Sequence, residues 1–313
     1  DVMSREAHDC VLVVAGSGSR LVVLAETIGQ AWVTSFAGSA GGYGTPVAAA
    51  VDATGAVAFF AALAGGTSPS AVVYRPVTGA ADAVPQGDPA PITGSGYFGG
   101  PAFFGPTVTD AGAVIFKGFV ARGEPSVAIF KGELSGPPAA VSTVRLVGAG
   151  DPTPTGDATF LDILGMPATA SDGTVAFAAL ASNDHGRGIY KIAPDGTVTR
   201  VVERGDPAPG GGVFGSVGVS PSVNTRGGVA FSAAVSVVDG DVTRSIRGLF
   251  VADERGLTSQ VLVTDPAPLA QFVRLRDPAL SNVPTISFRA SVGDVIDPEA
   301  CEVSLGVPGL FIL

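Results

Sequence analysis

The chain has 313 residues, 46% of them hydrophobic, with 44 glycines, 24 prolines and a formal net charge of −10. That apolar share argues against a disordered chain, the acidic balance argues against a surface that binds nucleic-acid phosphates, and no run reaches the roughly 18 apolar residues of a membrane-crossing helix. One Trp and four Tyr are too few for the aromatic girdles of a membrane β-barrel.

Taken in order, the apolar runs are four to eight residues long and rich in Val, Ala, Leu and Phe, which is strand length and strand composition. Residues 11–29 read as strand, glycine turn, strand. A phrase then recurs five times, a small turn leading into a short apolar strand that closes on Phe. The copies are VDATGAVAF (51–59), VTDAGAVIF (108–116), TASDGTVAF (169–177), VNTRGGVAF (223–231) and LSNVPTISF (280–288). The closing residues Phe59, Phe116, Phe177, Phe231 and Phe288 are 57, 61, 54 and 57 residues apart. A period of that size marks one supersecondary unit copied in tandem.

The copy around residues 167–220 shows the parts of a unit most clearly. A segment from Pro167 reaches the turn at Asp172-Gly173, and strands follow at Thr174–Leu180, Ile189–Ile192 and Thr197–Val202. Pro194-Asp195-Gly196 makes the last hairpin, proline presetting φ and glycine accepting a positive one. Each unit ends in an Asp-Pro loop, whose aspartates are Asp88, Asp151, Asp206 and Asp265, each followed by an aromatic: Phe98, Phe160, Phe214 and Phe272.

Four short antiparallel strands per unit predict an all-β chain and, within that class, a β-propeller. The expected architecture is one domain of five four-stranded blades: units at about 46–105, 106–166, 167–220 and 221–277, and a closing blade shared between 278–313 and 10–45. The Phe of each second strand is expected to pack between neighbouring blades. Both GLFIL (309–313) and VLVV (11–14) resemble a third strand, so one of them is surplus. An open solenoid or a row of separate β domains is the rival arrangement.

The two cysteines, Cys10 and Cys301, stand near opposite ends. They read either as free thiols buried as small hydrophobes or as a disulfide stapling the closing blade, which would place the chain in an oxidising compartment. A start at Asp1 with no leader fits a mature exported chain whose signal has been removed.

Asn224-Thr-Arg-Gly227-Gly-Val-Ala230-Phe231 resembles the N-x-x-G-x-x-A-F signature of the bacterial choice-of-anchor tandem-repeat proteins, and Asp52-Ala-Thr-Gly55-Ala-Val-Ala58-Phe59 resembles it with Asp for Asn. The other copies are looser, with Pro284 in place of Gly in the last. The GDPAP loops are also similar, and the resemblance runs from about residue 11 to the end. A more distant similarity is to TolB-like propeller repeats. The resemblance implies an exported, surface-associated protein and no catalytic residues. The family's C-terminal anchor segment has no counterpart before Leu313.

The loop aspartates Asp88, Asp151, Asp206 and Asp265 are the weak candidates for a metal, calcium, which takes six to eight oxygens. The competing reading is that each fixes its own turn, and Asp52, Asp110, Asp172, Asn224 and Asn282 of the strand turns share it. His8 and His185, the two histidines, are the remotest candidates, for a Ser–His–Asp triad or a zinc site, and the two cysteines are not spaced for a metal. Asp162, Glu203 and Glu124 break the repeat and are the candidates for a carboxylate pair acting on a glycoside. The segments between second and third strands differ most between copies: LAGGTSPSA, VARGEPS, ASNDHGRG and VSVVDGDVTRSIRG. Variable loops on a repeated frame suit binding. The expected function is therefore a non-catalytic binding or structural module, extracellular or at the cell surface. Its partners would be a protein, a glycan or the chain itself, and nucleic acid is not expected. The alternatives are a polysaccharide hydrolase or lyase with an axial carboxylate site, and a subunit that self-assembles by strand complementation.

Overall fold

The computed structural model describes residues 10–15, 18–23, 27–28, 31–36, 50–64, 70–77, 82–92, 94–133, 142–182, 186–240, 242–262, 271–282, 285–293, 295–297, 302–303 and 307–312. Among them there is no helix, and every strand pairing is antiparallel. The expected all-β class is therefore the class observed. The chain divides into two compact units, Asp1–Ala149 and Gly150–Leu313.

In the first unit, β1 (Cys10–Ala15) and β2 (Gly18–Val23) form a hairpin. The first large sheet holds β3 (Thr27–Ile28), β4 (Ala31–Phe36), β5 (Ala50–Val51), β6 (Val57–Ala64), β7 (Ser70–Arg75) and β8 (Asp82–Pro85). The second holds β9 (Tyr97–Val108), β10 (Val114–Ala121), β11 (Val127–Glu133) and β12 (Ser142–Gly148) in consecutive order.

In the second unit, the third sheet is β13 (Phe160–Thr169), β14 (Val175–Ala181), β15 (Arg187–Ile192) and β16 (Val198–Glu203). The fourth is β17 (Val213–Val217), β18 (Ser222–Val223), β19 (Val229–Asp239), β20 (Val242–Asp253) and β21 (Gly256–Leu262). The fifth begins with β22 (Gln271–Leu280) and β23 (Ile286–Gly293). After a small pair, β24 (Val295–Asp297) and β25 (Glu302–Val303), it ends with β26 (Val307–Ile312). The C-terminal segment thus takes the third-strand place, with Phe311 opposite Phe288 as Phe250 is opposite Phe231. The second, third and fourth sheets each begin after an Asp-Pro loop, at or one residue before the aromatic that follows it, so in them the repeat unit of the fold runs from loop to loop.

The repeated Val-Ala-Phe strand is two-faced because successive side chains point to opposite sides. In β19, Phe231, Ala233 and Val235 share a core with Ala176, Ala178, Ile189 and Val202 of the third sheet. Ala230, on the other face, joins Leu249, Val251 and Val261 in a core with Ile286, Phe288 and Ala290 of the fifth. The same division holds in the first unit, where Ala58, Phe60, Val72 and Val84 pack against Val114, Phe116, Ala128 and Phe130. Phe116, Phe231 and Phe288 thus lie between adjacent sheets of their unit, as expected. The alanine before it must be small because the next sheet's rings dock there.

Those rings come in threes. Phe98, Phe116 and Phe130 form one set, with Phe98 edge-on to Phe130 at 5.0 Å and Phe116 stacked on Phe130 at 5.7 Å. Phe160, Phe177 and Tyr190 repeat it at 4.8 and 5.6 Å. Phe214, Phe231 and Phe250 repeat it again at 5.0 and 5.9 Å. Each such pair adds about 0.5–1.5 kcal/mol beyond the area it buries. The aromatic after the Asp-Pro loop, the Phe of the phrase and the aromatic of the third strand therefore form one structural unit.

Candidate functional site

Antiparallel connection sorts the loops of each sheet to two ends. One end carries the turn before the second strand. The other carries the segment between second and third strands together with the Asp-Pro loop.

The turn end is built the same way in every sheet. The N–H of Asp52, Thr109, Ala170, Asn224 and Ser281 each donates to the carbonyl four residues on, at 2.8–3.1 Å. Gly55, Gly112, Gly173 and Gly227 supply positive φ, from 73° to 93°, which a side chain would strain. Asp52 and Asn224 use their side-chain oxygen to cap their own turns, accepting from Thr54 and Ala56 and from Arg226 and Gly228. Thr109 does so with its hydroxyl. Asp172, two places along, accepts from Thr174.

Asp110 and Asn282 act differently. They sit one place after the capping position and reach back to the preceding sheet. Asp110 accepts from the Ala53 N–H at 3.3 Å, and Asn282 accepts from the Thr225 N–H and hydroxyl at 2.9 and 2.8 Å. The amide of Asn224 returns a bond to the Ser281 carbonyl at 3.0 Å. These bonds, 57 residues apart in the chain, staple successive turns together. Their Asp and Asn side chains are engaged by the neighbouring turn, mostly by its backbone.

At the loop end the Asp-Pro segment repeats a two-bond clasp. The N–H of Gly87 donates to the Phe98 carbonyl at 2.8 Å, and the Phe98 N–H donates to the Asp88 carbonyl at 2.9 Å. Gly150, Asp151 and Phe160 make the same pair at 2.7 and 2.9 Å, as do Gly205, Asp206 and Phe214. The clasp uses the aspartate's main chain. The Asp206 carboxylate also accepts the Glu203 N–H at 2.8 Å, which fixes the turn, and its other oxygen lies 3.5 Å from Arg200. Burial pushes the Asp88 carboxyl up from its ordinary range. Asp265 lies outside the described residues. Among the described residues no three His, Cys, Asp or Glu side chains converge as a metal site would require.

Glu203 is the most buried charged side chain described, at 1% exposure. It accepts a hydrogen bond from the Tyr190 hydroxyl at 2.7 Å and one from Arg200 at 3.2 Å. Tyr190 stands where the second and fourth sheets have Phe130 and Phe250. A Cβ on Gly188 would meet both Tyr190 and Glu203 within 3.0 Å, so the glycine makes the room. Burial first, then the bond to Glu203 and its charge, hold the Tyr190 phenol protonated well above the ordinary range. The sequence signal for this pair was Tyr at a Phe position, opposite a strand that ends in Glu.

Two of the repeat-breaking carboxylates, Asp162 and Glu203, do not form a pair. Asp162 lies in β13 opposite Leu180, and Glu203 in β16 opposite Gly188, on opposite edges of one four-stranded sheet. Three strand spacings separate them by about 14 Å, more than the roughly 10 Å that a glycosidase pair spans. Glu124 belongs to the other unit, exposed in the loop after β10. His8, His185 and Cys301 lie outside the described residues, while Cys10 heads β1 opposite Val23.

The segments between second and third strands diverge in form as well as composition. Residues 122–126 are a tight loop with a cis bond between Glu124 and Pro125. In the fourth sheet there is almost no loop, because β19 and β20 continue to the Asp239–Val242 pair. No helix among the described residues is long and apolar enough to cross a membrane. A family model described as a family of unknown function, DUF7453, matches residues 10–265, and the chain belongs to that family. No curated protein matches it.

Proposed function

We propose that this member of the family is a non-catalytic binding module of the extracellular space or cell surface, a five-bladed propeller that presents unlike loops from like sheets. The observation that carries the reading is the contrast between the two ends of each sheet. The turn end repeats its hydrogen bonds in every sheet, while the loops between second and third strands share neither length nor chemistry. A rigid frame that holds variable loops is how binding surfaces are commonly built.

Face-to-face packing of successive sheets within each unit supports the propeller, as does the turn-to-turn stapling. The resemblance to choice-of-anchor repeat proteins supports the location. The partner is a protein or a glycan displayed outside the cell. The wide separation of Asp162 and Glu203, and the engagement of Glu203 by Tyr190 and Arg200, weigh against a polysaccharide hydrolase.

The test is incubation of the purified chain with a panel of bacterial polysaccharides, following both retention and new reducing ends. Retention of a glycan without new reducing ends, or retention of none, is the expected result. Reducing ends that accumulate and then vanish in Glu203→Gln or Asp162→Asn would make the protein an enzyme.

A further inference from the structure

The clasp of the Asp-Pro loops aims a donor at one particular carbonyl. Its acceptor is the aspartate's own main-chain carbonyl, the one that forms the peptide bond to proline. The Phe98 N–H donates to the Asp88 carbonyl, the Phe160 N–H to that of Asp151 and the Phe214 N–H to that of Asp206, each at 2.9 Å. A fixed N–H on a carbonyl oxygen stabilises the negative charge that develops there when a nucleophile adds. A carboxyl group is such a nucleophile, and an aspartate side chain can close a five-membered ring on its own main-chain carbon. The bond beyond that carbon is a tertiary amide, so the group that leaves is proline's secondary amine.

The three loops differ in what their carboxyls do. That of Asp206 is held elsewhere, one oxygen on the Glu203 N–H at 2.8 Å and the other 3.5 Å from Arg200. Asp151 and Asp206 are both half-buried, whereas Asp88 and Pro89 are exposed, so water reaches the bond between them. The Asp88 carboxyl is still sheltered enough for burial alone to push it up from its ordinary range. Arg122, Glu124 and Tyr97, the ionisable residues at this end of the second sheet, have no part in that shift. Asp88 therefore keeps its proton into milder acid than an ordinary aspartate does.

We infer that the Asp88–Pro89 peptide bond is a self-cleavage site, cut by the Asp88 side chain with water as the co-reactant. A carboxyl oxygen of Asp88 adds to the Asp88 main-chain carbon, and the Phe98 N–H holds the oxyanion that forms. The C–N bond to Pro89 then breaks with its electron pair on nitrogen, and the carboxyl proton passes to that nitrogen. The products are a cyclic anhydride at Asp88 and an amine at Pro89. One water opens the anhydride to the two carboxyls of a C-terminal Asp88, so the net change is hydrolysis of one peptide bond. The cut falls between β8, which ends at Pro85, and β9, which begins at Tyr97, and it interrupts no ladder. The core that Ala58 and Phe60 share with Phe116 and Phe130 keeps the two pieces together. A new amine and new carboxyls then stand at the end of the sheets that carries the unlike loops.

The test incubates the full chain in mildly acidic buffer with protease inhibitors, folded and in urea, and weighs the fragments by mass spectrometry. The folded chain is expected to yield fragments 1–88 and 89–313 about tenfold or more faster than any fragment cut at Asp151–Pro152 or Asp206–Pro207. It is expected to outpace the urea-unfolded chain by a similar factor, because only the folded clasp places the Phe98 N–H. D88N removes the carboxyl and D88E enlarges the ring to six members, and each is expected to lower this cut to the level of the other two bonds. The rate is expected to fall as pH rises through the Asp88 carboxyl's range, since the ionised form has no proton to give the leaving nitrogen. An uncut folded chain, equal cutting at the three bonds, equal cutting in urea, or a cut that survives both D88N and D88E would overturn the proposal. Failure here leaves the polysaccharide test as it stands, because that test reads glycan retention and turnover and not this bond.

Discussion

Single residues show where the repeat was adjusted. The second and fourth sheets close their aromatic trio with Phe130 and Phe250, and the third closes it with Tyr190, whose hydroxyl needs a buried acceptor. Glu203 provides it, and Arg200 neutralises Glu203. The chemistry is therefore pairwise. Glu203→Leu alone, which strands the hydroxyl, is expected to cost about 1–3 kcal/mol. Tyr190→Phe with Glu203→Leu, which recreates the Phe250 and Leu262 arrangement of the fourth sheet, is expected to recover most of it. Urea unfolding of the three proteins measures this, and a double variant no better than the single one would refute the coupling. The sign of the pH dependence follows from the raised phenol. Its folded state favours the protonated form, so the pair's contribution is complete below about pH 10 and is lost as pH rises beyond it.

At the scale of the element, the Val-Ala-Phe strand was legible because its composition and its turn repeat at a fixed spacing. In the third sheet the expected strands Thr174–Leu180, Ile189–Ile192 and Thr197–Val202 correspond to β14, β15 and β16 within two residues. The division of labour among the turn residues was not legible. Asp110 and Asn282 look in the sequence like Asp52 and Asn224, yet a shift of one position sends their oxygens to a neighbouring sheet. Contacts between residues 57 apart are tertiary, and no local pattern encodes them. The long ladder of β19 and β20 was hidden for a related reason, since VSVVDGDVTRSIRG reads as a polar loop until its register is known. The packing of the small alanine gives a prediction at this scale. Ala230→Leu adds volume where Ile286 and Phe288 dock and is expected to destabilise by about 1–3 kcal/mol. Val238→Leu on the exposed ribbon is expected to stay within about 0.5 kcal/mol of the parent chain. Similar thermal melts for the two variants would contradict the two-faced packing.

For the whole molecule, the all-β class follows from short apolar runs punctuated by glycine and proline, and the repeat follows from the spacing of the phrase, but where the unit begins does not, since the expected bounds at 105/106 and 166/167 fall inside β9 and β13. The proposed ring does not follow from either, because closure would depend on the meeting of two chain ends far apart in sequence. Cys10 and Cys301, the two cysteines of the chain, report on it directly. A ring closed by both ends brings them near one another, whether or not they form a disulfide. Five sheets stacked in a row at about 10 Å would hold the ends about 40 Å apart. The decisive measurement is the electron–electron distance between nitroxide labels on the reduced Cys10 and Cys301. A narrow distribution below about 20 Å, the reach of two adjacent cysteines and their label arms, is the expected result. A distribution centred near about 40 Å would contradict the propeller and the shared closing blade.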